Sequence, residues 1–211
     1  MTLWEEMEFE RLRWLPELGI GYYPVKDGIE PYNQHYFERF GEQAQSDIGK
    51  RLMRARCAMV ARHYNSELLD IGIGSGAFIE ERAHWRGDTF GWDVNPAGVR
   101  WLKDRNLYRD PFGKEPVWAM SFWDVLEHIE DFRPLLERVR YYLFVSLPIF
   151  TSGEHAKGSK HFRRDEHYWY FTRGGFVSTI HSLGFTLLEE NMIETELGRA
   201  DIQSFAFQRA K

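Results

Sequence analysis

The sequence predicts an α/β fold, a mostly parallel sheet with helices on both faces and an antiparallel last strand. Three observations point to it. From residue 46 onward short apolar runs alternate with amphipathic stretches, as strands alternate with the helices that cover them. The run Leu68-Leu69-Asp70-Ile71 passes into a turn holding Gly72, Gly74 and Gly76, then into a helical stretch with Phe78 and Ile79; such a junction opens ligand space at the carboxyl edge of a parallel sheet. The chain then closes on two β-rich runs, 185–189 and 204–208, with a polar connection around Gly198 between them.

Taken in order, residues 1–45 show no clear period. They hold turn formers (Leu18-Gly19-Ile20-Gly21, Asp27-Gly28, Glu30-Pro31) and then Tyr32, Tyr36, Phe37 and Phe40, and they read as an N-terminal arm or lid on a main domain of residues 46–211. Ile48, Leu52, Ala55 and Met59 step by four, three and four, which places an apolar stripe on a helix reaching about Tyr64, with Ser46 as its cap. After the 68–71 strand and its turn, a second strand spans 89–94. Asn95 can accept from free amides and Pro96 suits the first helical position, so a helix with Val99, Trp101 and Leu102 follows, to about Arg105. A weakly written third strand lies near Leu107-Tyr108 and a fourth at 117–122. Phe132, Leu135, Leu136 and Val139 mark a helix, and 143–147 a buried fifth strand. Phe176, Val177, Ile180 and Leu183 stripe a last helix, ended by Gly184.

Composition narrows the classes. The chain has 211 residues, 43% hydrophobic and 16% aromatic, enough for one domain with a full core. A net charge of -5 argues against a surface built throughout to hold polyanions. The single cysteine, Cys57, excludes an internal disulfide framework and a multi-cysteine zinc site, and fits the reducing cytoplasm. Four glutamates and no basic residue precede Arg11, and no apolar run approaches the ~20 residues that span a bilayer. The expectation is a cytoplasmic protein with no membrane partner and no signal peptide.

The glycine-rich turn carries the chemistry. Each glycine removes a Cβ, so a ligand can lie against bare backbone. Glycine triplets alone do not select the ligand, because dinucleotide enzymes use a similar turn. The surrounding acids do. Pyrophosphate favours a helix N-terminus free of acid, whereas S-adenosylmethionine has a cationic amine and sulfonium that favour an acid such as Asp70, two residues before the first glycine. Asp93, in Gly91-Trp92-Asp93-Val94-Asn95-Pro96, ends the next strand, where a carboxylate can accept both ribose hydroxyls of an adenosine. Otherwise it is an ordinary strand-end acid capping the next helix, a task that Asn95-Pro96 already performs.

Leu68 to Gly76, then Gly91-Trp92-Asp93, then Ser121-Phe122-Trp123-Asp124-Val125-Leu126-Glu127-His128-Ile129 resemble three successive motifs of class I S-adenosylmethionine-dependent methyltransferases. The group most resembled is methyltransferase type 23, with the ubiquinone-biosynthesis O-methyltransferase relatives. The resemblance covers about residues 46–185 and implies a Rossmann-like fold. It places Asp70, Gly72, Gly74 and Gly76 by the methionine and ribose portions of the cofactor, Asp93 with Val94 at the ribose, and Ser121, Phe122 and Trp123 along the methionine side facing the methyl group. Two departures stand out. Arg138-Val139-Arg140-Tyr141 replaces a Gly-Gly turn before the fifth strand, and Asp110 is the only candidate for the acidic third motif.

Methyl transfer from a sulfonium requires alignment of acceptor and donor above all, because the donor carries its own activation. If the acceptor is a hydroxyl or amine, a base helps. His128, just past the fourth strand, is the first candidate, or else it and Glu127 only tie the following helix to the sheet. The 154–171 segment offers His155, His161, His167, Arg163 and Arg164 before Tyr168-Trp169-Tyr170-Phe171. It reads as a solvated loop whose aromatics pack on the core, as an acceptor site with His167 as base or orienting group and the arginines on an anionic substrate, or as a metal site of His155, His161 and His167; the last lacks a compact ligand pair, and no metal is assigned. No Asp-Pro-Pro-Tyr or Asn-Pro-Pro-Tyr occurs, and Cys57 stands in the early helix, which argues against base-amino and cytosine-carbon methylation. The expected function is methyl transfer to O or N of a small or medium-sized acceptor. Nucleic acid is not excluded as acceptor. The alternatives are a nicotinamide-dependent oxidoreductase, disfavoured by Phe78 at the wider glycine spacing, and a non-catalytic cofactor- or partner-binding member of the fold.

Overall fold

The computed structural model describes residues 5–6, 12–24, 32–85 and 87–210. Its centre is a parallel run of strands: β4 (Leu68–Ile71) pairs with β5 (Thr89–Trp92) on one side and with β6 (Val117–Trp123) on the other, and β6 pairs with β7 (Val139–Phe150). β10 (Ile202–Arg209) lies antiparallel to both β7 and β9 (Phe185–Asn191). This is the predicted α/β sheet with antiparallel strands at one edge. The expected third strand shrinks to one bridge between Gly91 and Tyr108.

Strand side chains alternate between two cores, as period two requires. Leu69, Ile71, Phe122, Val145 and Phe205 pack with Leu135, Leu136, Phe176 and Ile180 on one face, covered by α5 (Arg133–Arg138) and α7 (Arg173–Ser182). Leu68, Ala119, Phe144 and Ala206 pack with Cys57, Met59, Val60 and Phe78 on the other, covered by α2 (Asp47–His63) and α3 (Ala77–His84). Ser46 caps α2 by accepting from the Gly49 amide. The predicted stripe needs one correction: Ile48 is 53% exposed, and the buried face instead includes Arg56 and Cys57. Arg56 breaks the apolar pattern because it is paired inside the protein.

α5 is shorter than expected, and Val139 opens β7 rather than ending the helix. No glycine is needed at this junction because guanidinium groups satisfy it: Arg138 donates to the carbonyls of Pro111, Gly113 and Glu115, and Arg209 to those of Leu136 and Val139. Past the end of β10, β7 gains β8 (Trp169–Thr172) in parallel. β8 in turn accepts an antiparallel meander of β3 (Ile20–Tyr22), β2 (Arg13–Leu15) and β1 (Glu5–Glu6). The first 45 residues thus include sheet strands that sequence periodicity did not reveal, and also a helix, α1 (Gln34–Gln45), capped by Asn33. Residues 1–4, 7–11 and 25–31 of the segment called an arm lie outside the described residues. α6 (Gly153–Gly158) follows β7, and α4 (Pro96–Asp104) and the short α8 (Ile193–Glu196) complete the helices. No helix among the described residues is long and apolar enough to cross a membrane.

Candidate active site

The carboxyl edges of β4, β5, β6 and β7 open on the same side. At the end of β4 the chain turns through Gly72, Gly74 and Gly76, all with positive φ (71°, 57° and 82°), a region costly for side chains with a Cβ. The three glycines serve different ends. A Cβ on Gly72 would stand 2.6 Å from Val125, and one on Gly76 2.6 Å from the Trp101 ring, so both answer to packing. A Cβ on Gly74 would meet nothing closer, among the described residues, than Phe40 at 3.9 Å. Only there is the backbone bare toward open space.

Two carboxylates flank the turn. Asp70 is 1% exposed; its Oδ1 accepts from Ser121 Oγ at 2.6 Å, and its Oδ2 has no hydrogen-bonding partner. Burial, against the opposing effect of the Ser121 bond, raises its pKa to about 7. Asp93 accepts the Asn95 amide at 2.7 Å, and the amides of Ile73, Val94 and Gly74 also hold it; burial nonetheless raises its pKa to about 6. The helix cap is Asn95, whose Oδ1 takes the Ala97 amide, so Asp93 instead ties the end of β5 to the glycine turn. Val94 is 61% exposed beside it. Phe122 and Trp123 lie in the two cores, where Trp123 packs on Phe78 and beneath the Arg56 guanidinium. The Trp123 indole N–H is buried without a partner. Asp110 binds the Phe112 amide of its own turn and has no visible part in the site.

Just past β6, Asp124 takes φ 58° and forms ion pairs with Arg56 (2.8 Å) and Arg199 (2.9 Å). Both arginines also pair with buried Glu194. Burial alone would raise Asp124, but Arg199 and Arg56 hold its pKa down to about 2. This network, missed at the level of sequence because its members are far apart in the chain, pins the turn that carries a 3-10 segment, Leu126–His128. Glu127 is 1% exposed with both carboxylate oxygens unpartnered, and burial raises its pKa well above the ordinary range.

His128 and His167 do come together. Their rings stand 4.5 Å apart at 78°, His128 half-buried and His167 3% exposed. The loop bearing His167 is fastened by its amide to the Arg163 carbonyl and by the Tyr168 amide to the Glu127 carbonyl. Tyr32, before α1, puts its hydroxyl 3.4 Å from His128 Nδ1. His155 and His161 are elsewhere: His155 takes the Thr151 amide and pairs with Asp201, and His161 binds the Ala200 carbonyl. The three-histidine metal reading is thereby corrected. Among the described residues the one cluster able to hold an ion is Glu127, His128 and His167. The reading of 154–171 as a solvated loop with its aromatics packed on the core agrees with Tyr170 and Phe171, which are fully buried in β8. Cys57 is buried and its thiol is pushed up to about 12 by burial, which leaves it inert at neutral pH.

α1 lies across this edge. Asn95 Nδ2 donates to the Asn33 carbonyl and Arg100 to Gln34, while Phe37 packs on the Ile73, Ile79 and Leu102 cluster.

Comparison with known proteins places this arrangement. Solved structures share the fold at low identity. Magnesium protoporphyrin IX methyltransferase from Synechocystis PCC 6803, with bound S-adenosylhomocysteine, matches at TM-score 0.62 and 13% identity over 85% of this chain and 96% of that one. 1,6-Didemethyltoxoflavin-N1-methyltransferase from Burkholderia thailandensis matches at TM-score 0.58 and 12% identity over 91% and 96%. The N-methyltransferase NodS from Bradyrhizobium japonicum WM9 matches at TM-score 0.56 and 14% identity over 80% and 99%. No curated protein sequence gives a significant match. A family model described as a methyltransferase domain matches residues 38–190, so the chain belongs to this family of class I S-adenosylmethionine-dependent methyltransferases.

Proposed function

We propose that this enzyme transfers a methyl group to oxygen or nitrogen of a small or medium-sized acceptor held between the glycine turn and the His128–His167 pair. The observation that carries the reading is the meeting of those two rings at the carboxyl edge of the sheet, beside the turn whose Gly74 faces open space.

The residues at the other end fit the cofactor. S-adenosylmethionine, when bound, supplies a methyl already activated on a sulfonium. The unpartnered Asp70 Oδ2 and Trp123 N–H are an acceptor and a donor, the complements of an ammonium and a carboxylate such as an amino-acid end presents. Asp93 with Val94 suits the ribose side, Gly72 and Gly76 shape the turn, and Ser121 keeps Asp70 in place through its hydroxyl. Phe122 and Trp123 are packed in the cores and paired in β6, and they line the methionine side from within the sheet edge. His128 and His167 act on the acceptor, fixing its reacting atom or taking up its proton, and Tyr32 with α1 closes over them as a lid that excludes water. The small negative net charge favours a small-molecule acceptor over nucleic acid, and the single inert cysteine favours a cytoplasmic setting.

The test is transfer of isotopically labelled methyl from S-adenosylmethionine to panels of hydroxyl and amine acceptors, read by mass. Incorporation should fall by about 10²-fold or more in His167→Gln, with the affinity for S-adenosylhomocysteine retained. Wild-type turnover in both His128→Gln and His167→Gln would remove the pair from the mechanism.

A further inference from the structure

Glu127 poses a problem that the methyl-transfer site does not solve. Its carboxylate is 1% exposed and neither oxygen has a hydrogen-bonding partner. A buried carboxylate is costly unless a proton or a cation offsets it. The guanidiniums that reach this turn from elsewhere are engaged: Arg56 and Arg199 pair with Asp124 and Glu194. No ion pair to Glu127 occurs among the described residues. What it faces is His128 and His167, and one ligand atom from each of the three lies within 4.8 Å of the others.

We propose that Glu127, His128 and His167 together bind a divalent first-row transition ion of the Zn²⁺ or Mn²⁺ kind. Metal–ligand bonds run about 2.0–2.2 Å for nitrogen and oxygen donors, so groups this close reach a common ion by side-chain rotation alone. Two imidazoles in the set select such ions over Mg²⁺ or Ca²⁺, which prefer oxygen throughout. The ion would neutralise the buried carboxylate that the fold otherwise leaves uncompensated. Tyr32, 3.4 Å from His128 Nδ1, is placed to fix that ring from behind, as groups around metal-bound histidines do. Asp124 is excluded from the ligand set by its two arginines.

Three protein ligands leave coordination positions free, the pattern of working rather than purely structural ions. If the proposed methyl transfer holds, those positions take an acceptor hydroxyl, whose proton then passes to solvent more readily. The oxygen forms the new O–C bond while the C–S bond of the donor breaks, its electron pair staying on sulfur as a neutral thioether. This last role rests on the proposed function; the binding of the ion does not.

The test uses the untagged full-length protein, stripped with a chelator and titrated calorimetrically with ZnCl₂, MnCl₂ and MgCl₂ in separate runs. One Zn²⁺ or Mn²⁺ per chain is expected, with Mg²⁺ clearly weaker. Glu127→Gln and His167→Ala should each weaken the transition ion by about tenfold or more, while His161→Ala, away from the cluster, leaves it unchanged. Retained S-adenosylhomocysteine affinity reports that each variant is folded. Should Glu127→Gln not fold, His128→Ala and the visible spectrum of the Co²⁺ form, which reports imidazole ligation, decide in its place. Absence of a bound ion, equal affinity for Mg²⁺, or affinity indifferent to all three ligand substitutions overturns the assignment. No ion bound by a parent protein that does bind the cofactor would count against the metal alone; an ion bound by a parent protein that ignores the cofactor would count against the methyl-transfer reading alone.

Discussion

Two buried carboxylates sit at the ends of neighbouring strands, and they are served differently. Asp70 shares one oxygen with Ser121 and keeps the other open; Glu127 has no partner for either. Around Asp70 the site is made of backbone, namely the left-handed glycines and the amides that hold Asp93. Around Glu127 it is made of side chains from separate segments, Tyr32, His128 and His167. The end proposed for the cofactor is therefore sensitive to shape and to backbone conformation, and the end proposed for the acceptor to the charge and identity of single groups. Substitutions at one end should leave the other working.

The sharpest division lies within the glycine turn. Gly74→Val should abolish measurable cofactor affinity in a protein that keeps its circular dichroism, because the branched side chain enters the open space at a left-handed φ. Gly76→Ala should do the reverse and lower stability by about 1–3 kcal/mol, since its Cβ strikes the Trp101 ring. Denaturant unfolding and calorimetric titration of both variants separate the two effects; a stable, binding Gly74→Val would show that the space is not the cofactor's.

Asp70→Asn should weaken cofactor binding yet stabilise the cofactor-free protein at pH 8, by roughly 1–3 kcal/mol for a relieved buried group. The sign follows from linkage. The folded-state pKa is raised to about 7 from 3.8, so the native state keeps a proton that the unfolded chain releases, and stability falls as pH rises through that window. Replacing the acid flattens this slope. Thermal melts between pH 5 and 8 read it directly, and parallel slopes in the two proteins would refute the assignment of the slope to Asp70.

How much of this was legible in the sequence follows the same division. Asp70, the glycines and Asp93 lie within one strand–turn–helix–strand stretch, where local chemistry determines structure, and their places were readable. The pairing of His128 with His167 was readable only through the topology of a parallel sheet, which brings the ends of β6 and β7 to one side. Glu127 as a third member was not readable, because nothing in Asp-Val-Leu-Glu-His indicates that Asp124 turns toward Arg56 and Arg199 while Glu127 turns inward. Ile48 and Arg56 were mis-sorted for a related reason: a stripe drawn by hydropathy alone cannot foresee an arginine buried by ion pairs. The strands in residues 13–22 escaped because each spans only three residues and depends on β8 for its partner.

Asp93→Ala should weaken S-adenosylmethionine by roughly 1.5–3 kcal/mol, the range for a hydrogen bond to a charged group. Gly98→Ala, whose Cβ would come within 3.2 Å of the Asp93 carboxyl group, should give a smaller loss by shifting the same acid. An unchanged dissociation constant in Asp93→Ala would confine that residue to tying β5 to the turn. Ion binding at Glu127 should be indifferent to both substitutions.

The smallest effect concerns α1, the element that spans both ends. It buries no residue fully and is held by Asn33 and Gln34 at one end and by the partial burial of Phe37, so its local stability is low. Arg39 is exposed on it and offers trypsin a site whose cleavage reports local opening. Phe40 already stands 3.9 Å from where a Gly74 side chain would begin, so a cofactor seated on that turn would touch the helix and favour its closed position. Saturating S-adenosylhomocysteine should therefore slow cleavage at Arg39 several-fold in the parent protein, and should fail to do so in Gly74→Val. If the cleavage rate is the same with and without ligand, α1 is a fixed wall of the site rather than its lid.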